Sequence, residues 1–230
     1  MKTIGLIGGM SWESSALYYQ QLNRQIQQRY GGLHSAQVIL NSVNFHDIEV
    51  LQRENRWDEA GQYLAKIAVQ LEAAGADIIA LCTNTMHKVA AEIERAIYRP
   101  FLHIADATIQ AIQQQKIQRV GLLGTAFTMQ QDFYKGRLLA QGIDVQTPSA
   151  HDQIIIHDVI YHELCRGHVL ESSKQQYLNI IQAMIEQGIE GVILGCTEIG
   201  LLIQQQDLNI PVFDTTQIHV NALVDFALSL

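Results

Sequence analysis

The chain is short of charge, of cysteine and of basic clusters, and each shortage excludes something. Charged residues make up 17% of its 230 positions, with 15 Lys and Arg against 23 Asp and Glu, a net charge of −8 and a pI near 5.5. A nucleic-acid or anionic-membrane surface needs Lys and Arg gathered together, so neither partner is expected. The three cysteines, Cys82, Cys165 and Cys196, are odd in number and widely spaced, which fits neither a disulfide framework nor paired CxxC zinc ligands. The opening MKTIGLIGGM lacks the longer apolar stretch and small-residue cleavage site of a signal peptide, and the expectation is a cytoplasmic protein. That opening also lacks the full GxGxxG of a dinucleotide site, and no Walker motif occurs. His157, His162, Cys165 and His168 are separated by gaps that do not set four metal ligands on one helix face, so no metal is expected.

What is present is a substantial apolar fraction, 48%, enough to bury a real core, and an internal repeat. TIGLIGG near the start is matched by RVGLLGT from Arg119, each an apolar run ending in a glycine turn. AAGADIIALCTNT is matched by EQGIEGVILGCTE, in both cases a helix end with Gly75 or Gly188, an apolar strand and a turn rich in Cys and Thr. PFLHIAD from Pro100 then pairs with PVFDT from Pro211. Between these landmarks, residues 12–30, 57–74, 86–97, 130–141 and 172–187 read as helices, and 37–43 and 77–81 as strands. Trp12, Ala16, Tyr19, Leu22 and Ile26 form the apolar stripe expected to bury the first helix, with Ser11 as its N-cap. Alternating strands and helices indicate an α/β fold of two similar parallel-sheet domains related by a pseudo-twofold, residues 1–103 with 215–230 forming one and 104–214 the other. Sites in such sheets lie beyond the carboxyl ends of strands, so the turns at 8–11, 81–87, 124–128 and 195–198 are expected to converge on an active site at the domain interface.

Cys196 follows the strand GVIL directly. A helix starting there would offer N–H groups and its positive dipole end, lowering the thiol from about 8.5 and making it a candidate base. Sliding the repeats together places either Cys82 or Thr83 opposite Cys196. The row Thr83, Asn84, Thr85 supplies hydroxyl and amide donors suited to a carboxylate, which favours Thr83. His46 and His87 lie near the expected cleft, where a lone histidine is most simply a satisfied structural group.

The opening IGLIGGM, the run Thr83-Asn84-Thr85-Met86-His87 and the run Gly195-Cys196-Thr197-Glu198 together resemble the aspartate/glutamate racemases along the whole chain. In that family the first motif reads Cys-Asn-Thr-x-His, so this chain departs from it by carrying Thr at position 83. The resemblance implies a racemase without pyridoxal phosphate, metal or other cofactor, acting on a small amino acid of the aspartate/glutamate kind and working as a homodimer. It further implies two catalytic groups on opposite faces of the substrate Cα. Cys196 would deprotonate an L-amino acid and Thr83, or a water it holds, would return the proton, while Met10, Gln52, Asn84, Thr85, Thr125 and Thr197 would bind substrate. The Arg that acidic-substrate members carry after an Asp is Ile48 here, and Gln52 and Arg53, a helical turn further on, are the candidate replacements, Arg53 by bidentate pairing with a side-chain carboxylate. The competing readings are a one-cysteine decarboxylase or isomerase of the same superfamily, and an amino-acid-binding protein with little catalysis.

Overall fold

Ile4–Gly8 (β1) is buried at every position, as a strand covered on both faces must be. In the computed structural model, which describes residues 1–229, it opens a unit comprising Met1–Ile104 and the segment from His219 onward. Trp12–Tyr30 (α1) leads to Val38–Ser42 (β2), Phe45–Arg53 (α2), Trp57–Ala73 (α3) and Ile78–Leu81 (β3). A one-turn 3-10 helix, Thr85–Val89, and Ala90–Ala96 (α4) precede Phe101–Leu102 (β4). All four strands are parallel, in the order β2-β1-β3-β4.

The second unit, Ala105–Ile218, repeats the arrangement. Ile104–Gln114 (α5) enters it, followed by Arg119–Gly124 (β5), Ala126–Gln130 (α6), Asp132–Ala140 (α7), Asp144–Gln146 (β6) and Ala150–His162 (α8). Glu171–Glu186 (α9), Gly191–Gly195 (β7) and Val212–Asp214 (β8) complete it, and Thr215–Leu228 (α10) returns the chain to the first unit. Its strands are also parallel, in the matching order β6-β5-β7-β8.

The fold is the expected α/β one of two four-stranded parallel sheets, and the equivalence of the units extends to single residues. Gly75 and Gly188 close α3 and α9 at φ values of 98° and 96°, a conformation that side chains oppose. Asp77 accepts from Thr3 N, and Glu190 accepts from Gln118 N and Arg119 N, so a carboxylate grips the start of the neighbouring strand in each unit.

Three local expectations are corrected. On α1 the buried face is Ser14, Ser15, Tyr18, Leu22 and Ile26, whereas Trp12 is 66% and Tyr19 53% exposed, and Ala16 is exposed as well. The serines bury because they have partners there: Ser14 Oγ donates to Cys82 O, and Ser15 Oγ accepts from Gly9 N and donates to Ser11 O. The segment 86–97 is a 3-10 turn followed by a short helix, and 130–141 is broken at Gln131, which is extended with φ −97° and ψ 157°. Among the described residues no helix is long and apolar enough to cross a membrane.

The core of the first unit packs Tyr18, Leu22 and Ile26 of α1 against β1, β3 and Val220, Leu223 and Val224 of α10. His219 is fully buried in that seam. Its Nε2 lies 3.0 Å from Leu102 O, a group that only accepts, so Nε2 carries the proton and Nδ1 takes the Tyr18 hydroxyl at 2.8 Å. Burial pulls its pKa down from 6.5 to about 4, the bond to Leu102 opposing weakly. Between those values the unfolded chain takes up a proton that the folded one refuses. The contribution of His219 is therefore intact above about pH 6.5 and lost as pH falls towards 4, a loss of about 3 kcal/mol in all. Urea denaturation of wild type and His219→Gln across this range is expected to give the wild type the steeper fall; parallel slopes would remove His219 as the cause.

Candidate active site

The register of the central strands decides which side chains are equivalent. Ile4 pairs with Ile78 in the first sheet and Val120 with Gly191 in the second. Ile4 and Val120 are the same position of the repeated IGLIG and VGLLG strings, so Ile78 corresponds to Gly191. Counting forward, Cys82 corresponds to Gly195, Thr83 to Cys196, Asn84 to Thr197 and Thr85 to Glu198. The ambiguity between Cys82 and Thr83 is thus removed by backbone pairing within each sheet. Cys82 belongs to the core, is fully buried and has its thiol pushed up by that burial.

In the first unit the turn after β3 carries Thr83, Asn84 and Thr85, between 2% and 7% exposed, with the donors at the rim of the sheet. Met10, 4% exposed, lies in the turn after the adjacent strand β1. Gly9 in that turn has φ 93°, and a Cβ there would collide with the backbone of Val43, so no other residue fits. Gln52 at the end of α2 is buried and its Nε2 lies 2.9 Å from Met86 Sδ, laying α2 across the 3-10 turn. Arg53 is different: its side chain is 62% exposed and paired with Glu49 at 3.0 Å on the surface. His46 is likewise outside the buried set. Lys88, next to His87, rests its ammonium 3.8 Å over the Trp57 ring and is lowered by partial burial.

In the second unit Thr125 follows β5 and caps α6, accepting from Thr128 N, and Cys196 and Thr197 follow β7. Cys196 is 8% exposed. Its Sγ lies 3.0 Å from Glu198 Oε2, and the Thr197 hydroxyl donates to the same oxygen at 2.7 Å. Glu198 is itself 3% exposed. The expected thiol-lowering helix is not there: β7 runs into a single 3-10 turn, Ile199–Leu201, too short to sum a dipole. Burial and then the Glu198 carboxylate hold the thiol well above its usual range, and a backbone N–H of Glu198 pulling the other way does not offset them. The thiol therefore rests protonated and donates to Glu198. Sequence reasoning took Glu198 only as a letter of a motif. The signal was the pairing of a carboxylate with Thr85 when the repeats are laid in register. Among the described residues no group of three or more His, Cys, Asp or Glu could hold a metal ion.

The Asp/Glu/Hydantoin racemase family model matches residues 7–223. A candidate Asp/Glu racemase from Yersinia pestis is 52% identical, superimposes with a TM-score of 0.93 and is covered over 100% of both chains. An aspartate racemase homologue from Pyrococcus horikoshii is 34% identical, again over 100% of both chains, with a TM-score of 0.87. A broad specificity amino-acid racemase of Bacillus subtilis is 26% identical over 221 residues, which is 93% of this chain and 92% of that one.

Replacing Glu198 by Gln removes the negative charge opposing ionisation. The expected result, read by ultraviolet titration of thiolate, is that Cys196 ionises at lower pH in Glu198→Gln than in wild type. An unchanged titration would mean that burial alone sets the thiol.

Proposed function

The chain belongs to the Asp/Glu/Hydantoin racemase family, and from that premise we propose that it interconverts the enantiomers of aspartate- or glutamate-like amino acids, with Cys196 and Thr83 as the two proton-handling groups. The observation that carries the reading is the contact of Cys196 Sγ with Glu198 Oε2 at 3.0 Å. A buried thiol that rests protonated is no base until its proton is taken, and the carboxylate beside it is placed to take it.

In this reading an L-amino acid meets Cys196 on one face of its Cα. The thiol proton passes to Glu198, the thiolate removes the Cα proton, and the electron pair is delocalised onto the substrate α-carboxylate. Asn84, Thr85 and Thr197, with Met10, Gln52 and Thr125 around them, supply donors to that carboxylate and shape the cleft. Thr83 on the other face gives its hydroxyl proton to the carbanion, completing inversion, and is reprotonated from water; the proton held on Glu198 neutralises the hydroxide so formed, which restores the carboxylate. The reading requires the ends of β3 and β7 to flank one substrate, and it needs no cofactor. A second copy of the chain in a homodimer and a cytoplasmic setting belong to the same proposal.

Thr83 makes this pair lopsided, because a hydroxyl donates a proton far more readily than it rests as an alkoxide. Enantiomers are isoenergetic, however, so kcat/KM must be equal in the two directions, and the lopsidedness can appear only in kcat and KM separately. The substrate class is supported by the relatives, whose names specify aspartate, Asp/Glu or a broad range of amino acids.

Nuclear magnetic resonance in D₂O, with chiral chromatography of the products, tests the reading on L- and D-aspartate, glutamate and a neutral amino acid. Deuterium entry at Cα with inversion is expected for the acidic substrates. Carbon dioxide release would instead support the decarboxylase reading, and binding without exchange the non-catalytic one. Cys196→Ser and Glu198→Gln are each expected to lower racemisation by roughly 10²–10⁴-fold, although Glu198→Gln makes the thiol easier to ionise. Thr83→Cys should raise turnover of the D-enantiomer. Full activity in Cys196→Ser would sink the assignment of the base.

A further inference from the structure

The turn that carries Thr83 is held by side chains its counterpart lacks. Ser14 Oγ donates to Cys82 O at 2.9 Å, and His87 Nδ1 lies 2.7 Å from Thr83 O, so two consecutive carbonyls are gripped. A carbonyl only accepts, so Nδ1 carries the imidazole proton. Nε2 lies 3.2 Å from Ile104 N, which only donates, so Nε2 accepts. The two bonds together specify one neutral tautomer and tie the turn after β3 to the residue that starts α5 beyond β4. Packing fixes the ring as well: His87 is 2% exposed, with its centroid 4.4 Å from that of His103 and 5.6 Å from that of Phe101.

In the second unit a side chain grips the strand two residues before Cys196, Thr215 Oγ1 donating to Leu194 O at 2.8 Å, but no imidazole stands at the position of His87. In register His87 corresponds to Gly200 and His103 to Asp214, from the pairing of Ile79 with Phe101 and of Val192 with Val212. Gly200 offers no side chain, and a Cβ there would come within 2.5 Å of Asp214 Oδ2. The clamp is therefore confined to the half whose reactive group is a hydroxyl. This matters because the position of Thr83 O fixes the backbone that aims Thr83 Cβ and Oγ. A weakly acidic hydroxyl has little tolerance for misplacement, a shift of about 1 Å costing on the order of 10²-fold in rate.

We infer that His87 is a positioning residue for Thr83: its neutral imidazole, protonated on Nδ1, clamps the Thr83 carbonyl to the end of β4 and so aims the hydroxyl that completes inversion. The role in inversion rests on the racemase reading above; the clamp itself does not.

Two variants of the full chain, His87→Leu and His87→Asn, separate the possibilities, because the Asn amide can donate to Thr83 O from where Nδ1 sits. The first readout needs no substrate. Nitrogen spectra of the wild-type imidazole are expected to show the neutral Nδ1–H form. Thr83 signals are expected to shift in His87→Leu and to stay near wild type in His87→Asn. The second readout is the ratio, in D₂O, of inversion to exchange with retention in an L-substrate, since Cys196 alone can remove a proton and return a deuteron on its own face. His87→Leu is expected to cut inversion roughly 10–10²-fold with retention exchange near the wild-type rate, and His87→Asn to recover most of the inversion. Equal loss of both processes, or Thr83 signals that ignore the substitution, overturns the inference. If the wild type neither exchanges nor inverts, the racemase reading fails separately, and the spectra alone decide whether His87 holds Thr83.

Discussion

Parallel pairing of the two central strands is the constraint on which the rest depends. β1 with β3, and β5 with β7, run in one register, and every side chain at the carboxyl rim takes its place by counting forward from the last paired residues. A slip by one residue would exchange Thr83 for Cys82 and turn a rim hydroxyl into a core thiol. Small residues hold that register tightly. A Cβ on Gly5 would come within 2.8 Å of Ala76 Cβ, and one on Gly195 within 2.7 Å of Leu123 O, so neither strand accommodates a side chain at those points.

With the register fixed, the two rims differ in acid–base character. Cys196 and Glu198 on one side form a thiol and a carboxylate within hydrogen-bond reach, while Thr83 and Thr85 in the equivalent places are neutral hydroxyls. A carboxylate beside a buried thiol stabilises its protonated form, which looks unhelpful in a base. In the racemase reading proposed above, the same proximity gives the thiol proton somewhere to go when substrate arrives. On the Thr83 turn the neighbouring contacts are instead those of Ser14 and His87, with the rings packed around them.

Most of the architecture was legible because apolar runs such as GLIG and GVIL are too short for helices, end in glycine and recur in order. The sequence misleads where a hydrogen-bonding partner, near or distant along the chain, decides burial or charge. Trp12 and Tyr19 looked like the inner face of α1, yet Ser14 and Ser15 occupy it, because backbone groups of Gly9, Ser11 and Cys82 satisfy their hydroxyls. Hydrophobicity counts do not see such partners. The break at Gln131 carries neither proline nor glycine to announce it. His87 read as an ordinary structural histidine, and only the opposed demands of Thr83 O and Ile104 N reveal its specific task. The resting state of Cys196 was misjudged for a related reason: the neighbour that sets it, Glu198, was visible in the sequence, but its direction was not.

Asp77 and Glu190 grip strand starts at the ends of the sheets opposite to the turns that carry Thr83 and Cys196. These contacts recur in both halves, whereas the turns at the opposite ends carry different side chains. The carboxylates that hold the strand starts are therefore separated by the length of a strand from the positions at which the two halves differ, Thr83 against Cys196 and His87 against Gly200.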